Sequence, residues 1–226
     1  MKKTAILTGV FILLASSSFS QVKTYATTGL EVIFSMADIM DNGVDQSSTL
    51  RFEPVINIET MYNADMSKNF GIFSGLAIRN VGYIYDNYTD PSNEAIYKKK
   101  FRSYNIGVPF GIKIGNLDRM FLYGGYEVEL AWLYKERTYD GGDKTNTTKG
   151  WFSDRQNLFQ HGFLVGIQFP YGANVKFKYY LSEFHNQNFA NADGVKPYAG
   201  LNSNIWYLSL NFMLFRNLDF YTSYDN

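Results

Sequence analysis

Tyr104-Asn105-Ile106-Gly107-Val108-Pro109-Phe110-Gly111-Ile112-Lys113-Ile114 reads as two sequences interleaved. Tyr104, Ile106, Val108, Phe110, Ile112 and Ile114 form one series, large and apolar. Asn105, Gly107, Pro109, Gly111 and Lys113 form the other, small or polar. Successive side chains of a strand point to opposite faces, so this period of two is the signature of a strand between two unlike environments. The run also has the length of a tilted strand crossing a bilayer, about 9–11 residues.

The same alternation recurs on both sides of it. Leu50, Phe52, Pro54, Ile56, Ile58 and Tyr62 alternate with Arg51, Glu53, Asn57 and Glu59. Leu122, Tyr126, Val128, Leu130, Trp132 and Tyr134 oppose Glu127, Glu129 and Lys135. Near the end, Trp206, Leu208, Leu210, Phe212 and Leu214 alternate with Tyr207, Ser209, Asn211 and Met213. Weaker segments begin at Leu30, Phe70, Phe163 and Val175. The expectation is an all-β, eight-stranded antiparallel up-and-down transmembrane β-barrel, an even strand number as bacterial barrels of this kind have.

The connections support that count independently. Short turns follow segments two, four and six (63–68, 116–119, 170–172), and longer polar stretches follow one, three, five and seven (37–49, 86–99, 139–157, 185–203). Short periplasmic turns alternating with long outer loops is the asymmetry of outer-membrane barrels. The stretches Asp140 to Gly150 and Asn186 to Gly194 read as mobile surface loops, where a protein partner would be met.

Alternation alone fits a soluble lipocalin-like barrel too, with its apolar face inside and a ligand in the lumen. Two features favour the inverted arrangement. Gly71, Gly75, Gly107, Gly111, Gly125, Gly162 and Gly166 share the polar face, where a narrow barrel needs room for large neighbours. That face also carries Glu31, Arg51, Glu53, Glu59, Arg79, Lys113, Glu127, Glu129, Lys135, Lys176 and Lys178, the mixed signs that a closed interior demands. Tyr62, Tyr83, Tyr85, Tyr104, Trp132, Tyr134, Tyr171 and Trp206 then fall where an interfacial girdle would sit.

Composition agrees. The 226 residues hold 18 Tyr, 19 Phe and 19 Gly but no Cys, which leaves no disulfide framework and no thiolate chemistry. No apolar run after residue 20 is long enough for a helical span, so a membrane crossing requires a closed barrel. Lys2 and Lys3, the apolar stretch Ala5 to Ala15, and Ser18 and Ser20 before a junction read as a cleaved signal peptide over 1–20. The barrel domain is then 21–226, exported to the outer membrane and bathed in its lipid. Removing Lys2 and Lys3 leaves it two charges negative, no footprint for nucleic acid.

Candidate chemistry is sparse, and the expectation is no enzyme, no cofactor and no metal. His161 shares parity with Phe163 and belongs on the lipid side near the outer rim, while His185 begins a loop. Ser182, Glu183 and His185 lie close in sequence but form no recognised hydrolase motif. Glu127 and Glu129 are read as structurally paired with lumen lysines rather than as an acid–base pair. Lys98, Lys99, Lys100 and Arg102 are read as a solvated loop base, with contact to anionic lipopolysaccharide phosphates as the sharper alternative.

The run Tyr104 to Gly115, the strand Phe121-Leu122-Tyr123-Gly124-Gly125-Tyr126 and the junction Ser18-Phe19-Ser20-Gln21 resemble the PorT-like outer-membrane barrel family of Bacteroidetes. The likeness covers most of residues 21–226 in architecture, with its specific residues in strands four and five. It implies an eight-stranded barrel without enzymatic activity, some members of which serve protein secretion, and it carries over no functional residue. The leading expectation is a structural, accessory or interaction barrel, to which the resemblance adds a link to protein secretion as one role among a family whose members mostly have none assigned. A narrow porin-like channel and an outer-membrane lipid enzyme stand behind it.

Overall fold

The computed structural model describes residues 22–217, with side chains through 213. The expected signal peptide and residues 218–226 lie outside the described residues. The strands are β1 (Lys23–Asp41), β2 (Val44–Gln46), β3 (Arg51–Glu53), β4 (Ile58–Asp65), β5 (Phe70–Thr89), β6 (Ile96–Asn116), β7 (Met120–Asp140), β8 (Asp143–Trp151), β9 (Phe159–Gln168), β10 (Ala173–Tyr180) and β11 (Leu201–Asn217). β4, β5, β6, β7, β9, β10, β11 and β1 pair antiparallel in turn, and β11 closes on β1. The ring therefore has eight staves, as the alternation predicts. β3 continues the β4 stave after a break at 54–57, where Ile56 takes φ 64°. Asn57 spans that break, donating to the Glu53 carbonyl at 3.1 Å and accepting from the Asn80 amide at 2.7 Å.

The two faces are partitioned as the inverted reading requires. Phe110, Ile114, Leu122, Phe163 and Phe212 are each at least half exposed on the outside, whereas Glu31, Arg79, Glu127 and Lys178 are at most 1% exposed within. A water-soluble lipocalin-like barrel has the opposite partition, so that alternative is set aside. Glycine makes room as expected: a Cβ on Gly107 would stand 3.0 Å from Glu129 Cγ, and Gly166 lies under the Tyr123 ring.

Several expectations need correction above the apolar belt. β5, β6 and β7 run for 20, 21 and 21 residues, about twice what a crossing needs. Much of the stretches expected to be the outer loops 86–99 and 139–157 is therefore sheet: a tall wall of β5, β6, β7 and β8 stands on one side of the mouth. Tyr83 and Tyr85 are buried inside it rather than in a girdle, because they keep the inward parity of Arg79 along a strand that does not end. Tyr134 is inward as well, and Lys135 outward. The cause is a bulge at Trp132: Tyr104 pairs Leu133 while Asn105 pairs Ala131, so the extra residue swaps the faces above it. Tyr62, Tyr104, Trp132, Tyr171 and Trp206 do lie outward near the belt edges.

Candidate functional site

The lumen at the height of the belt is filled by one ion network, here called the waist. Alternation along β1, β4, β5, β7 and β10 brings Glu31, Glu59, Arg79, Glu127, Glu129, Lys176 and Lys178 to one layer. Arg79 bonds Glu31 at 3.0 Å, Glu59 at 2.7 Å, and also Glu127 and Glu129. Lys176 contacts Glu31 at 2.9 Å and Lys178 contacts Glu127 at 2.7 Å. Asn105 and the Tyr180 hydroxyl complete Glu129 at 2.6 and 2.9 Å. Nearer the base, Lys113 donates to Asp65, Asn63 and Tyr25; nearer the mouth, Arg51 joins Glu53 and Asn80. Buried charge is tolerable only when fully paired, and each of these groups has partners from other strands. Between the waist and the base the described residues leave a void of 20 Å³, room for about one water molecule.

The mouth is filled by different material. Phe101, Tyr83, Tyr134, Phe184, His185 and Tyr198 are each at most 1% exposed. His185 lies 4.5 Å from the Phe101 ring and stacks on Tyr198 at 4.3 Å with an interplanar angle of 14°. Its Nε2 meets the Tyr83 hydroxyl at 2.9 Å. Burial drives the imidazole toward its neutral form, its pKa pushed down to about 3. Phe184 and His185 are fixed there by the backbone, with Phe184 N on the Ser203 carbonyl at 2.8 Å and Asn157 donating to the Glu183 and His185 carbonyls at 2.8 and 3.2 Å.

Over this aromatic layer opens a polar bowl of 360 Å³, with Asp90, Lys99, Glu136, Asn146 and Arg155 among its lining residues. In its floor Lys99 bonds Glu136 at 2.6 Å and covers the Tyr88 ring at 3.9 Å. Tyr134 and Tyr198 both donate to the other Glu136 oxygen, at 3.0 and 2.6 Å. Burial pushes the Glu136 carboxyl up, but Lys99 and the two hydroxyls outweigh it and hold it below the usual carboxylate range.

The residues singled out by sequence are dispersed. Ser182 accepts from the His161 amide at 3.0 Å while His185 faces Tyr83, so the two do not meet. His161 lies on the outward side against the Tyr126 hydroxyl at 2.5 Å, at the expected rim. Glu127 and Glu129 are paired, though with Arg79 and Lys178; Lys113 serves Asp65 instead, and Lys135 is outside. Alternation splits the basic run: Lys99 points in, and Lys98, Lys100 and Arg102 point out. The stretch 186–194 lies at the surface, as expected, but the residues flanking it, Phe184, His185 and Tyr198, insert into the mouth. Missed altogether was the Glu136 cluster, whose parity is reset by the bulge. Among the described residues no group of His, Asp or Glu is arranged to hold a metal ion.

No protein-family model matches the chain, and no curated protein matches it. Among solved structures it is similar to Ail, the attachment invasion locus protein of Yersinia pestis, seen with the heparin analogue sucrose octasulfate (12% identity, 87% of this chain and 99% of that one, TM-score 0.37). Neisserial surface protein A is similar at 13% identity, covering 84% of this chain and 99% of that one, TM-score 0.38. The outer membrane protein OprG from Pseudomonas aeruginosa stands at 10% identity, 87% and 97% coverage and TM-score 0.37. Values this low transfer no function to this chain.

Proposed function

We propose that this chain is a non-enzymatic outer-membrane barrel that works as an interaction protein, with a sealed lumen as its structural core and the long-loop mouth as its working surface. One observation carries the reading: the ring exposes apolar side chains outward all the way round while Arg79, Lys176 and Lys178 are at most 1% exposed within it. The outward belt belongs in hydrocarbon, and the closed antiparallel ring satisfies its backbone there. The filled waist argues against a narrow channel, since a solute would have to displace Arg79, Lys176 and Lys178 from the carboxylates that pair them. The ordered mouth supports a binding role, because its polar bowl is preformed on a rigid aromatic floor and costs little ordering on binding. A service in protein secretion rests on the resemblance of the Tyr104 to Tyr126 region to PorT-like barrels.

The test joins fractionation with conductance. The expected outcome is an outer-membrane band whose mobility changes on boiling, and purified protein that adds no steady current to a planar bilayer. Reproducible single-channel steps would transfer the assignment to the porin-like alternative, and a soluble periplasmic band would remove the membrane reading.

A further inference from the structure

Above the Trp132 bulge the outer face of the tall wall changes character. Arg102, Lys135 and Lys149 lie directly opposite one another across β6, β7 and β8, and in the next row Lys100 opposes Arg137. Like charges facing each other across strands destabilise the pairing, so this ladder works against the sheet that carries it. Counter-charge is scarce. Asp86 holds Lys98 at 2.8 Å and Glu53 holds Arg102 at 3.1 Å. Lys100, Lys135, Arg137 and Lys149 make no ion pair among the described residues. The crowding is felt by Lys135, whose ammonium is held below the usual lysine range by partial burial and then by Arg137, Lys149 and Arg102.

The patch is shaped as well as charged. A groove of 120 Å³ runs between Arg51, Lys100, Arg102, Lys135 and Arg137, with Phe52 along one side. Phe52 is 57% exposed and Trp151, beside Trp132 at 4.9 Å, is 68% exposed. The groove therefore sits where the apolar belt gives way to water, the height of a lipid headgroup. Cations above and apolar side chains below match an amphiphile with anionic oxygens on top and acyl chains beneath.

We propose that this outward basic groove binds a multiply phosphorylated lipid headgroup of the surrounding leaflet, its phosphates spanning the Arg102–Lys135 and Lys100–Arg137 rows and its chains lying along Phe52. The proposal rests on the membrane reading above. Several cations in two rows suit two phosphates better than one, and arginine supplies planar, bidentate recognition of each. The site is built by the bulge, because without the phase change Lys135 and Arg137 would point inward.

The experiment uses the full chain folded into phosphatidylcholine nanodiscs with or without bisphosphorylated lipid A, and reads retained lipid by native mass spectrometry. Wild type should retain the lipid at least tenfold better than K100Q/R137Q, and the retention should fall steeply with added salt. The double variant should change mobility on heating as wild type does, which keeps folding separate from binding. Equal retention by the double variant, or equal retention of dephosphorylated lipid A, overturns the proposal. Displacement by soluble pyrophosphate at equimolar concentration would assign the groove to a free phosphate ligand and overturn the lipid source. Failure of the groove in a heat-modifiable outer-membrane protein sinks this proposal alone. Lipid retention by a chain that fractionates elsewhere in cells sinks the membrane reading instead.

Discussion

At the waist Arg79 is enclosed by Glu31, Glu59, Glu127 and Glu129; at the mouth Phe101 is enclosed by Tyr83, Phe184, His185 and Tyr198. Both layers fill the same ring of strands, yet one is ionic and the other aromatic. The difference follows from what lies outside each. On the membrane reading proposed above, the waist is surrounded by hydrocarbon, as apolar as any core, so moving a phenylalanine inward gains nothing from the solvent. Specific polar bonds do the work there, and they fix register across β1, β4, β5, β7 and β10 together. Around the mouth is water, so the segment carrying Phe184 and Tyr198 gains by burying its rings.

The comparison is most easily broken at Arg79. Arg79→Leu leaves four carboxylates facing two lysines and should cost about 3–5 kcal/mol, read as a drop in the urea midpoint for loss of the heat-modifiable band. A variant as stable as wild type would mean that the waist is not the structural core. Phe184→Ala should cost about 3 kcal/mol by cavity formation, but only at the mouth: hydrogen exchange should accelerate over 182–203 and leave the waist strands unchanged. Spread of the effect to β4 or β10 would show the two interiors to be one cooperative unit.

Acid should separate them next. The His185 pKa lies below that of the unfolded chain, so its contribution is full above about pH 6.5 and is lost as pH falls toward 3. At pH 5 the mouth should be weakened by about 2 kcal/mol, measured as faster exchange around Phe184. His185→Phe keeps the ring packing and should abolish that dependence down to the range where Glu136 takes up a proton. Tyr198→Phe should give the smallest effect, about 1 kcal/mol, by removing one donor from Glu136. It should also move the remaining acid transition of the mouth to higher pH, since the carboxylate has lost part of what holds its proton affinity low. An unmoved transition would assign the acid sensitivity to other groups.

The waist was legible in the sequence because its rule is strict. A period of two, charged residues of one parity and glycines among them place Glu31, Arg79 and Lys178 without any knowledge of the fold. The mouth obeys no single period. The bulge at Trp132 changes the parity of β7, and a second register shift between Tyr85 and Tyr88 turns Tyr88 inward on β5. Phe184 and His185 are separated from Tyr198 by twelve residues rich in Asn, with Asp193, Gly194 and Pro197, the composition of a solvated loop, so their burial leaves no pattern to read. One signal was available: Tyr83 and Tyr85 share the parity of Arg79, which a strict count along β5 would have honoured.

Trp132 also makes the strand sensitive to length in a way it is not sensitive to identity. Replacing a residue above it alters one contact, whereas deleting one residue at that point transposes the whole upper segment. Lys135 and Arg137 would then turn toward the aromatic floor, and Tyr134 and Glu136 toward the surroundings. The upper part of β7 is thus written in a shifted reading frame relative to its part in the belt, while β6 beside it keeps one frame throughout. Insertions and deletions near residue 132, far more than substitutions, decide whether its message is read on the inside or the outside.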